Sequence, residues 1–517
     1  MPETLLQQKL FPYDGAQNTT KNALLISPKD IVTSDNIVYT TYSTKKKRPG
    51  ISLPFARPAG NSHILGGIDF HRLGVQRVVY YDGVKLRALD PATGIVDDIT
   101  GTHAIPVDEA VTFTIFNGLL MIFFYGGNTP PKRWTQSGSI VDLGATAPNA
   151  AFGRVFLNSL WVPDPTVPGR VLKSRTGDPT LFTGGDSLAI DLDVNDGDPD
   201  GITAIFPPFY GSLYVAKRFS LYRITPQYNG ATLFYAPAKI SDGVGCISHN
   251  AAVAAEGNII FPSDRGLHTF DSTDKVSGIE PNFLSGVIQP TWVSETNFDR
   301  GRFMQATYDP TLNSYLFIHP SRTRLYPNNL WGYSVEVGKW YRWQNFNHTS
   351  VFKYVDTVNS RVRTMVGSRD GDMGYLDEDV KTDYGVPYNC SMQSGIISPA
   401  GAPDEQFGFN YIAPIFVPQT QGKFKITYKI DGHTIETLEF DMTDTSLGDD
   451  LGEDFIPGQS VLGGVPRIKI DKRSIVGYGM VYELIISHEA IADEDFELLG
   501  ILMDVDRTTK IVGQTIA

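Results

Sequence analysis

The sequence predicts an all-β protein: a β-propeller of about seven blades followed by a C-terminal β-sandwich. Glycine and proline supply 83 of the 517 residues, and Phe, Tyr and Trp supply another 59. This composition favours strands joined by tight turns over helices. Strand–turn–strand units recur about every 46 residues up to residue 380, and longer strands with alternating polarity follow from about residue 390.

The repeat is defined by turns placed between two short apolar runs. A period of 40 to 50 residues with strand–turn–strand content is typical of propeller blades. Intervals of 52 and 57 residues between some turns leave six or eight blades open as alternatives. We expect the N-terminal strand near residues 37–42 to close the ring by pairing with the last blade, which removes an exposed edge. The first turn residues are Asp82, Asn117, Asn158, Tyr210, Glu256, Asn313 and Asn359.

Three regions follow from this pattern: an N-terminal arm (1–29), the propeller (30–385) and an acidic sandwich (386–517). Residues 390–517 contain 20 acidic and 9 basic side chains, so this part carries −11 of the chain's formal charge of −13. An acidic domain repels phosphate, which argues against nucleic-acid binding there. The loop at residues 443–454 is predicted either to face a DNA channel or to keep the outer surface soluble.

The apolar segment at residues 111–127 is predicted to be a hairpin and not a membrane span. Asn117-Gly118 divides it into two short apolar runs, and Asn-Gly is the strongest short hairpin signal. The polar start of the chain gives no sign of a signal peptide. Cys246 and Cys390 are expected to be buried free thiols.

No residue is predicted to be catalytic, cofactor-binding or metal-binding, and the chain is expected not to be an enzyme. The histidines form no metal-ligand pair, and phosphate-binding and nucleophile motifs are missing from the sequence. The acidic loop from Asp191 to Gly201 resembles a calcium loop, but it has Ile202 where a bidentate Glu belongs. A solvated loop is therefore favoured over a calcium site.

The most basic stretch, "STKKKRPGIS" at residues 43–52, is predicted to be a solvated turn. Pro49-Gly50 demands a change of direction, and the charges of Lys45 to Arg48 would stay in water. The alternatives are a contact with an acidic surface such as the C-terminal domain of another subunit, a nuclear localisation signal and a DNA-binding segment.

Several segments together resemble structural proteins from the tails of bacteriophages. The resemblance implies a virion protein with a β-propeller in the nozzle or hub of a short tail, or in a head–tail connector. It further implies a ring of copies, about six, that surrounds the DNA path and contacts neighbouring tail or adaptor proteins. The family motifs are strands and turns, so no catalytic residue is carried over. The segments are residues 21–51, 174–192, 197–224, 243–271, 477–489 and 496–506.

Function is accordingly expected to be structural, in the virion tail, with the host cytoplasm as the place of assembly. Genomic DNA would pass nearby without specific binding. The alternative is a propeller module or accessory tail protein that binds host-surface glycan, for which Trp134, Trp161 and Trp331 are the candidate aromatic residues. An enzyme acting on glycans is a third hypothesis, but no clustered carboxylates with an assignable base support it.

Overall fold

The computed structural model describes most of the chain. The ranges are residues 6–10, 13–20, 22–58, 60, 62–126, 129–192, 200–230, 232–272, 279–344, 346–399, 405–419, 421–443, 468–491 and 494–507. The chain divides into two compact units. The propeller unit contains residues 52–331 and 345–376, and the sandwich unit contains residues 1–51, 332–344 and 377–517.

The described chain contains seven consecutive sheets of the propeller type, as the repeat predicts. They are antiparallel except for one parallel pairing in the last sheet, between Ile51 and Asp383. The first three blades each have four strands in sequential order. Blade 1 contains Gly66–Arg72, Val75–Tyr81, Leu86–Leu89 and Val96–Asp98. Blade 2 contains Val111–Phe116, Leu119–Phe124, Lys132–Trp134 and Val141–Asp142. Blade 3 contains Arg154–Phe156, Ser159–Pro163, Arg170–Lys173 and Leu188–Asp191.

The next three blades keep the same four-stranded order. Blade 4 contains Ile202–Ile205, Leu213–Lys217, Ser220–Asn229 and Thr232–Asp242. Blade 5 contains Val253–Ala255, Asn258–Ser263, Gly266–Ser272 and Ile279–Phe283. Blade 6 contains Gln305–Asp309, Ser314–His319, Asn329–Ser334 and Lys339–Trp343.

The last sheet corrects the predicted closing strand. Its order is His348–Asp356, Arg361–Ser368, Met373–Asp377, Gly50–Ser52, Thr382–Asp383 and Val386–Pro387. An N-terminal strand therefore occupies the fourth position, but it is Gly50–Ser52 and not residues 37–42. Ile37–Tyr39 instead pairs with Lys45–Lys47 in a sheet of the sandwich unit. Residues 37–42 were predicted because they form the longer apolar run, whereas the short strand after Pro49 occupies the fourth position of the sheet.

The predicted turns are confirmed in blades 2 to 7, where each joins the first strand to the second. Asn117 and Gly118 have φ of 47° and 75°, the left-handed conformation that an Asn-Gly turn adopts readily. In blade 1 the prediction is displaced by one strand, because Asp82 follows the second strand. The equivalent turn there is Leu73-Gly74, with φ of 50° and 78°.

The sandwich unit is built from two sheets and includes the N-terminal segment. One sheet has the order Ile37–Tyr39, Lys45–Lys47, Glu497–Arg507, Phe407–Phe416 and Lys469–Ile470. Leu6–Leu10 pairs with Glu497–Arg507 in this sheet, and Arg473–Ser474 and Tyr478–Gly479 pair with Phe407–Phe416. The other sheet has the order Ile31–Asp35, Cys390–Ser394, Tyr482–His488, Lys423–Ile430 and His433–Asp441.

The sandwich core contains apolar side chains from both sheets, including Phe409, Phe416, Phe424 and Ile426. Phe416 meets Phe424 edge-on, with ring centroids 5.1 Å apart. Residues 6–51 contribute strands to both sheets, so the division at residue 30 that the sequence suggested differs from the one in the structure. Sequence order could not show that distant segments share a core.

Helices are few in the described residues. The α-helix is Gln289–Glu295. The 3₁₀ helices are Ala23–Leu25, His249–Ala251, Gly286–Ile288 and Phe298–Phe303. No helix in the described ranges combines the length and the hydropathy needed to cross a membrane. The predicted hairpin at residues 111–127 is confirmed by the pairing of Val111–Phe116 with Leu119–Phe124.

Candidate functional site

The first strands of the blades surround a cavity of about 240 Å³ in the propeller unit. Backbone and side chains of blades 1, 2, 3, 5, 6 and 7, and of the 3₁₀ helix His249–Ala251, line it. We call it the axial cavity. Its lining residues are Gly66, Gly67, Ile68, Val111, Phe113, Arg154, His249, Asn250, Ala252, Val253, Gln305, Ala306, Thr307, Val351, Phe352 and Lys353.

Glycines allow the innermost strands to approach each other closely. A Cβ atom at Gly67 would lie 2.4 Å from the ring of Phe352, and one at Gly66 would lie 2.7 Å from Val111. Such distances are far below van der Waals contact, so any side chain at Gly67 would displace the ring. The shape of the cavity thus depends on the absence of side chains at these two positions.

Side chains also link different blades through backbone carbonyl groups. The Thr112 hydroxyl donates to the carbonyl oxygen of Ala151 at 3.1 Å, and the Gln305 amide donates to that of Leu65 at 2.7 Å. Asn250 Nδ2 donates to the carbonyl oxygen of Val111 at 2.9 Å. These bonds hold polar side chains in fixed positions around the axis because buried carbonyl groups need donors.

The polar groups of the axial cavity are mainly donors. Arg154 and Lys353 are cationic, and no aspartate or glutamate is among the lining residues. Burial lowers the pKa of Arg154 to about 10, which still leaves the guanidinium charged at neutral pH. Burial, together with the nearby Arg154, holds the pKa of His249 well below its usual value, so this imidazole is neutral.

A second cavity of about 530 Å³ lies beside the loop between the second and third strands of blade 6. Residues 323–328 line it together with Asn347 and Arg369. The ring of Tyr326 contacts that of His63 in a tilted arrangement with ring centroids 4.6 Å apart, and it meets Phe303 edge-on at 5.3 Å. These contacts make Tyr326 part of the packing between blades, so we regard the axial cavity as the stronger candidate site.

The basic run at residues 45–48 is not a solvated turn. Lys45–Lys47 is a strand, and the side chains of Lys45, Lys47 and Arg48 are 0%, 0% and 2% exposed. Lys45 Nζ donates to the carbonyl oxygen of Tyr13 and lies 3.7 Å from the centre of its ring. Burial holds the pKa of Lys45 well below its usual value.

Arg48 is paired with an acidic residue from the C-terminal part of the same chain. Its Nη1 and Nη2 atoms donate to Asp383 at 2.8 and 2.5 Å, and its Nε donates to Asn36 at 2.7 Å. Its guanidinium carbon lies 3.7 Å from the ring centre of Tyr388. Lys46 in turn pairs with Asp495 at 3.2 Å. The basic run does contact acidic side chains, as one of the alternatives from the sequence proposed. These side chains belong to the same sandwich unit and not to another subunit.

The calcium hypothesis receives no support from the described residues. Asp191 pairs with Arg170 at 2.6 Å, and hydrogen bonding to this arginine lowers the pKa of the carboxyl group. Residues 193–199 lie outside the described residues. No group of three potential metal ligands occurs in the part of the chain that the structure describes.

The remaining candidate residues are buried in the protein or lie outside the described residues. Trp134, Trp161 and Trp331 are 4%, 0% and 1% exposed, so none is available for stacking on a glycan. Cys246 and Cys390 are buried free thiols, as predicted, and burial raises the pKa of each to about 12. Within the predicted acidic channel loop at residues 443–454, only Thr443 is described.

The sequence analysis missed Arg154 and His249. Each is a single residue in an unremarkable segment, and only the radial arrangement of blades brings them to one axis. Among the residues that begin the first strands of the seven described blades, Arg154 is the only arginine or lysine, and this is the one signal that indicates it.

Comparison with known proteins finds no match in sequence and only distant similarity in structure. The sequence matches no protein-family model and no curated protein. Among solved structures, the β-propeller domain of Cps50 (Swd1) from Myceliophteria thermophila shares 11% identity, with 63% of this chain and 98% of that chain covered and a TM-score of 0.41. A chain of the mitotic checkpoint complex shares 9% identity over 64% and 93%, with a TM-score of 0.38. A chain of YCF48 bound to D1 peptide shares 11% identity over 64% and 97%, with a TM-score of 0.36. The chain's own succession of blade sheets makes it an all-β propeller protein.

Proposed function

We propose that this protein is a structural component of a bacteriophage virion. In this proposal it forms part of the tail, as a nozzle, hub or head–tail connector around the DNA exit path. It assembles into a ring of about six copies and contacts neighbouring tail or adaptor proteins. The segments at residues 21–51, 197–224 and 477–506 that resemble phage tail proteins support this assignment.

The observation that carries the proposal is the projecting hairpin of blade 4, formed by Ser220–Asn229 and Thr232–Asp242. These strands have 10 and 11 residues, whereas the corresponding strands of blade 3 have four each. The exposed fractions of Tyr228 and Phe234 are 74% and 42%. An exposed, aromatic β-hairpin fits a protein building block that buries it against a partner.

Charge is missing from the outer part of this hairpin. Residues 224–238 contain no Asp, Glu, Lys or Arg, although charged residues make up 20% of the chain. Protein interfaces are depleted in charge at their centre and enriched in aromatic residues. We therefore assign the hairpin to a contact with another copy of this chain or with a neighbouring tail protein.

Incorporation into particles tests this role. A phage that lacks this gene would be complemented with wild-type protein or with the double variant Tyr228→Asp, Phe234→Asp, and purified particles would be quantified by mass spectrometry. We expect the double variant to reduce incorporation at least tenfold while the purified protein keeps its melting temperature. Val358→Asp is the matched control, because Val358 is apolar, 85% exposed and at the turn of another blade.

The same experiment separates the proposal from its alternatives. Wild-type protein absent from purified particles would contradict a virion role. Incorporation of the hairpin variant at the wild-type level would contradict the assignment of the hairpin. Detectable release of products from polysaccharide, peptidoglycan or peptide by the purified chain would contradict the expected non-catalytic role.

A further inference from the structure

The axial cavity contains positive charge without a compensating carboxylate. Arg154 donates through Nε to the carbonyl oxygen of Ile205 at 3.4 Å, a long and weak bond. Neither Arg154 nor Lys353 forms an ion pair with any residue that the structure describes. The two Nη atoms of Arg154 thus have no carboxylate partner among the described residues.

A cation in this position is unfavourable for the isolated fold. Withdrawing a charge from water is unfavourable unless an opposite charge or good hydrogen bonds compensate for it, and Arg154 is partly buried. Most other partly buried arginines of the propeller unit have such compensation: Arg87 pairs with Asp82 at 2.7 Å, and Arg363 pairs with Asp356 at 3.1 Å. Arg154 therefore lacks the acidic partner that these arginines have, and an anionic ligand would supply the missing negative charge.

His249 contributes a directed donor beside Arg154. Its Nδ1 accepts a hydrogen bond from the backbone N–H of Ile205 at 3.2 Å, and a backbone nitrogen can only donate. Nδ1 is therefore unprotonated, and the neutral ring must carry its proton on Nε2. Stacking on Phe152, with ring centroids 4.6 Å apart, fixes the orientation of this imidazole.

We propose that the axial cavity binds a small oxyanion such as inorganic phosphate, with Arg154 as its principal partner and His249 and Lys353 as further donors. A guanidinium group matches the oxygen geometry of phosphate, sulfate and carboxylate groups. A water molecule occupies about 30 Å³ in the liquid, so a cavity of about 240 Å³ admits one such anion with a few waters. It does not admit a nucleic-acid duplex. This inference rests on the cavity alone and is independent of the proposed function.

Binding can be measured on the full chain with inorganic phosphate, sulfate and acetate as probes. Isothermal titration calorimetry gives the affinity. Thermal unfolding at constant pH and ionic strength gives the change in melting temperature that each anion causes relative to chloride. A ligand that binds only the folded state raises the melting temperature in a saturable way. We expect such a rise for wild-type protein with phosphate or sulfate.

Three variants decide whether Arg154 is responsible. Arg154→Gln should lower the affinity at least tenfold and abolish the rise, while its melting temperature in chloride stays at or above the wild-type value. Lys353→Gln, at an exposed position, should weaken binding several-fold without affecting folding. Arg361→Gln is the matched control, because Arg361 is exposed and outside the cavity.

The outcomes are distinct. Equal shifts in wild-type protein and Arg154→Gln would show a general salt effect and contradict the proposal. If Arg154→Gln did not fold, an unchanged affinity in Lys353→Gln would contradict it, and a reduced affinity would support it. Binding of acetate alone would overturn the assignment to phosphate-like anions.

Discussion

Three buried cationic side chains of the sandwich unit, those of Lys45, Lys47 and Arg48, each have a specific hydrogen-bond partner. Arg48 combines a two-bond pairing with Asp383, a bond to Asn36 and a stacked contact with Tyr388. Such a group stabilises only while every partner is present, because a lone buried charge costs more than the pair gains. The basic run thus acts as part of the sandwich core.

Replacing Arg48 by Lys should lower the free energy of unfolding of the sandwich unit by about 2–4 kcal/mol. Lysine keeps the charge but cannot make two parallel bonds to Asp383 or stack on Tyr388. Denaturant unfolding followed by tryptophan fluorescence measures the change. Arg361→Gln should change stability by no more than about 0.5 kcal/mol. An equally small effect of Arg48→Lys would show that the buried pair is dispensable.

His488 makes the sandwich unit sensitive to acid. Burial lowers its pKa to about 4, so between pH 6.5 and 4 the unfolded chain binds a proton that the folded chain does not. Stability therefore falls as the pH drops through this window, by about 2 kcal/mol between pH 7 and 5. The neighbouring Glu494 acts in the opposite direction, because burial raises its pKa and acid relieves that penalty.

The substitution His488→Gln should remove most of this pH dependence. The measurement is the unfolding free energy of wild-type and variant protein at pH 7 and pH 5. His433→Gln is the control, because His433 is exposed on a strand of the same sheet. A pH dependence that persists unchanged in His488→Gln would place its origin elsewhere.

Among the strands, the first strand of each blade combines close packing with the axial cavity. Gly67 tolerates no side chain because its Cβ would meet the Phe352 ring. A Cβ atom added at Gly201 would have no other heavy atom within 4 Å, and the φ of Gly201 is not left-handed. The two glycines therefore provide a matched pair for testing how tightly the axis is packed.

Gly67→Ala should destabilise the propeller unit by about 1–3 kcal/mol, the usual cost of overpacking a core. Gly201→Ala should be neutral within about 0.5 kcal/mol or slightly stabilising. Thermal unfolding of both variants gives the comparison. Equal melting temperatures for the two variants would contradict the tight packing of the first strands.

The strands show how far local sequence determines this fold. Turns such as Asn117-Gly118 were predictable because positive φ selects Asn and Gly. Leu73 was missed because an apolar residue at a left-handed turn position has no local signature. The burial of Lys45 and the position of Arg154 were not predictable, because both depend on segments far away in the sequence.

At the scale of the whole molecule, the N-terminal segment belongs to the sandwich unit and not to a separate arm. Leu6–Leu10 and Lys45–Lys47 pair with Glu497–Arg507, and Ile31–Asp35 pairs with Cys390–Ser394. Both sheets of the sandwich therefore need residues from the first tenth of the chain. Their removal would expose two long strand edges.

Deleting residues 1–47 should reduce hydrogen-exchange protection in Glu497–Arg507 and Cys390–Ser394, because each strand loses the backbone partner on one of its two sides. Protection in Leu119–Phe124, within the propeller unit, should persist. Exchange followed by mass spectrometry distinguishes these segments. Undiminished protection in Glu497–Arg507 would contradict the described pairing.

The proposed virion role is tested most directly by a density map of the intact particle. The account predicts several copies of this chain in a closed ring around the tail axis, with the hairpin at residues 220–242 buried against another chain. Particles without the chain, or a map with isolated copies away from the DNA path, would contradict it.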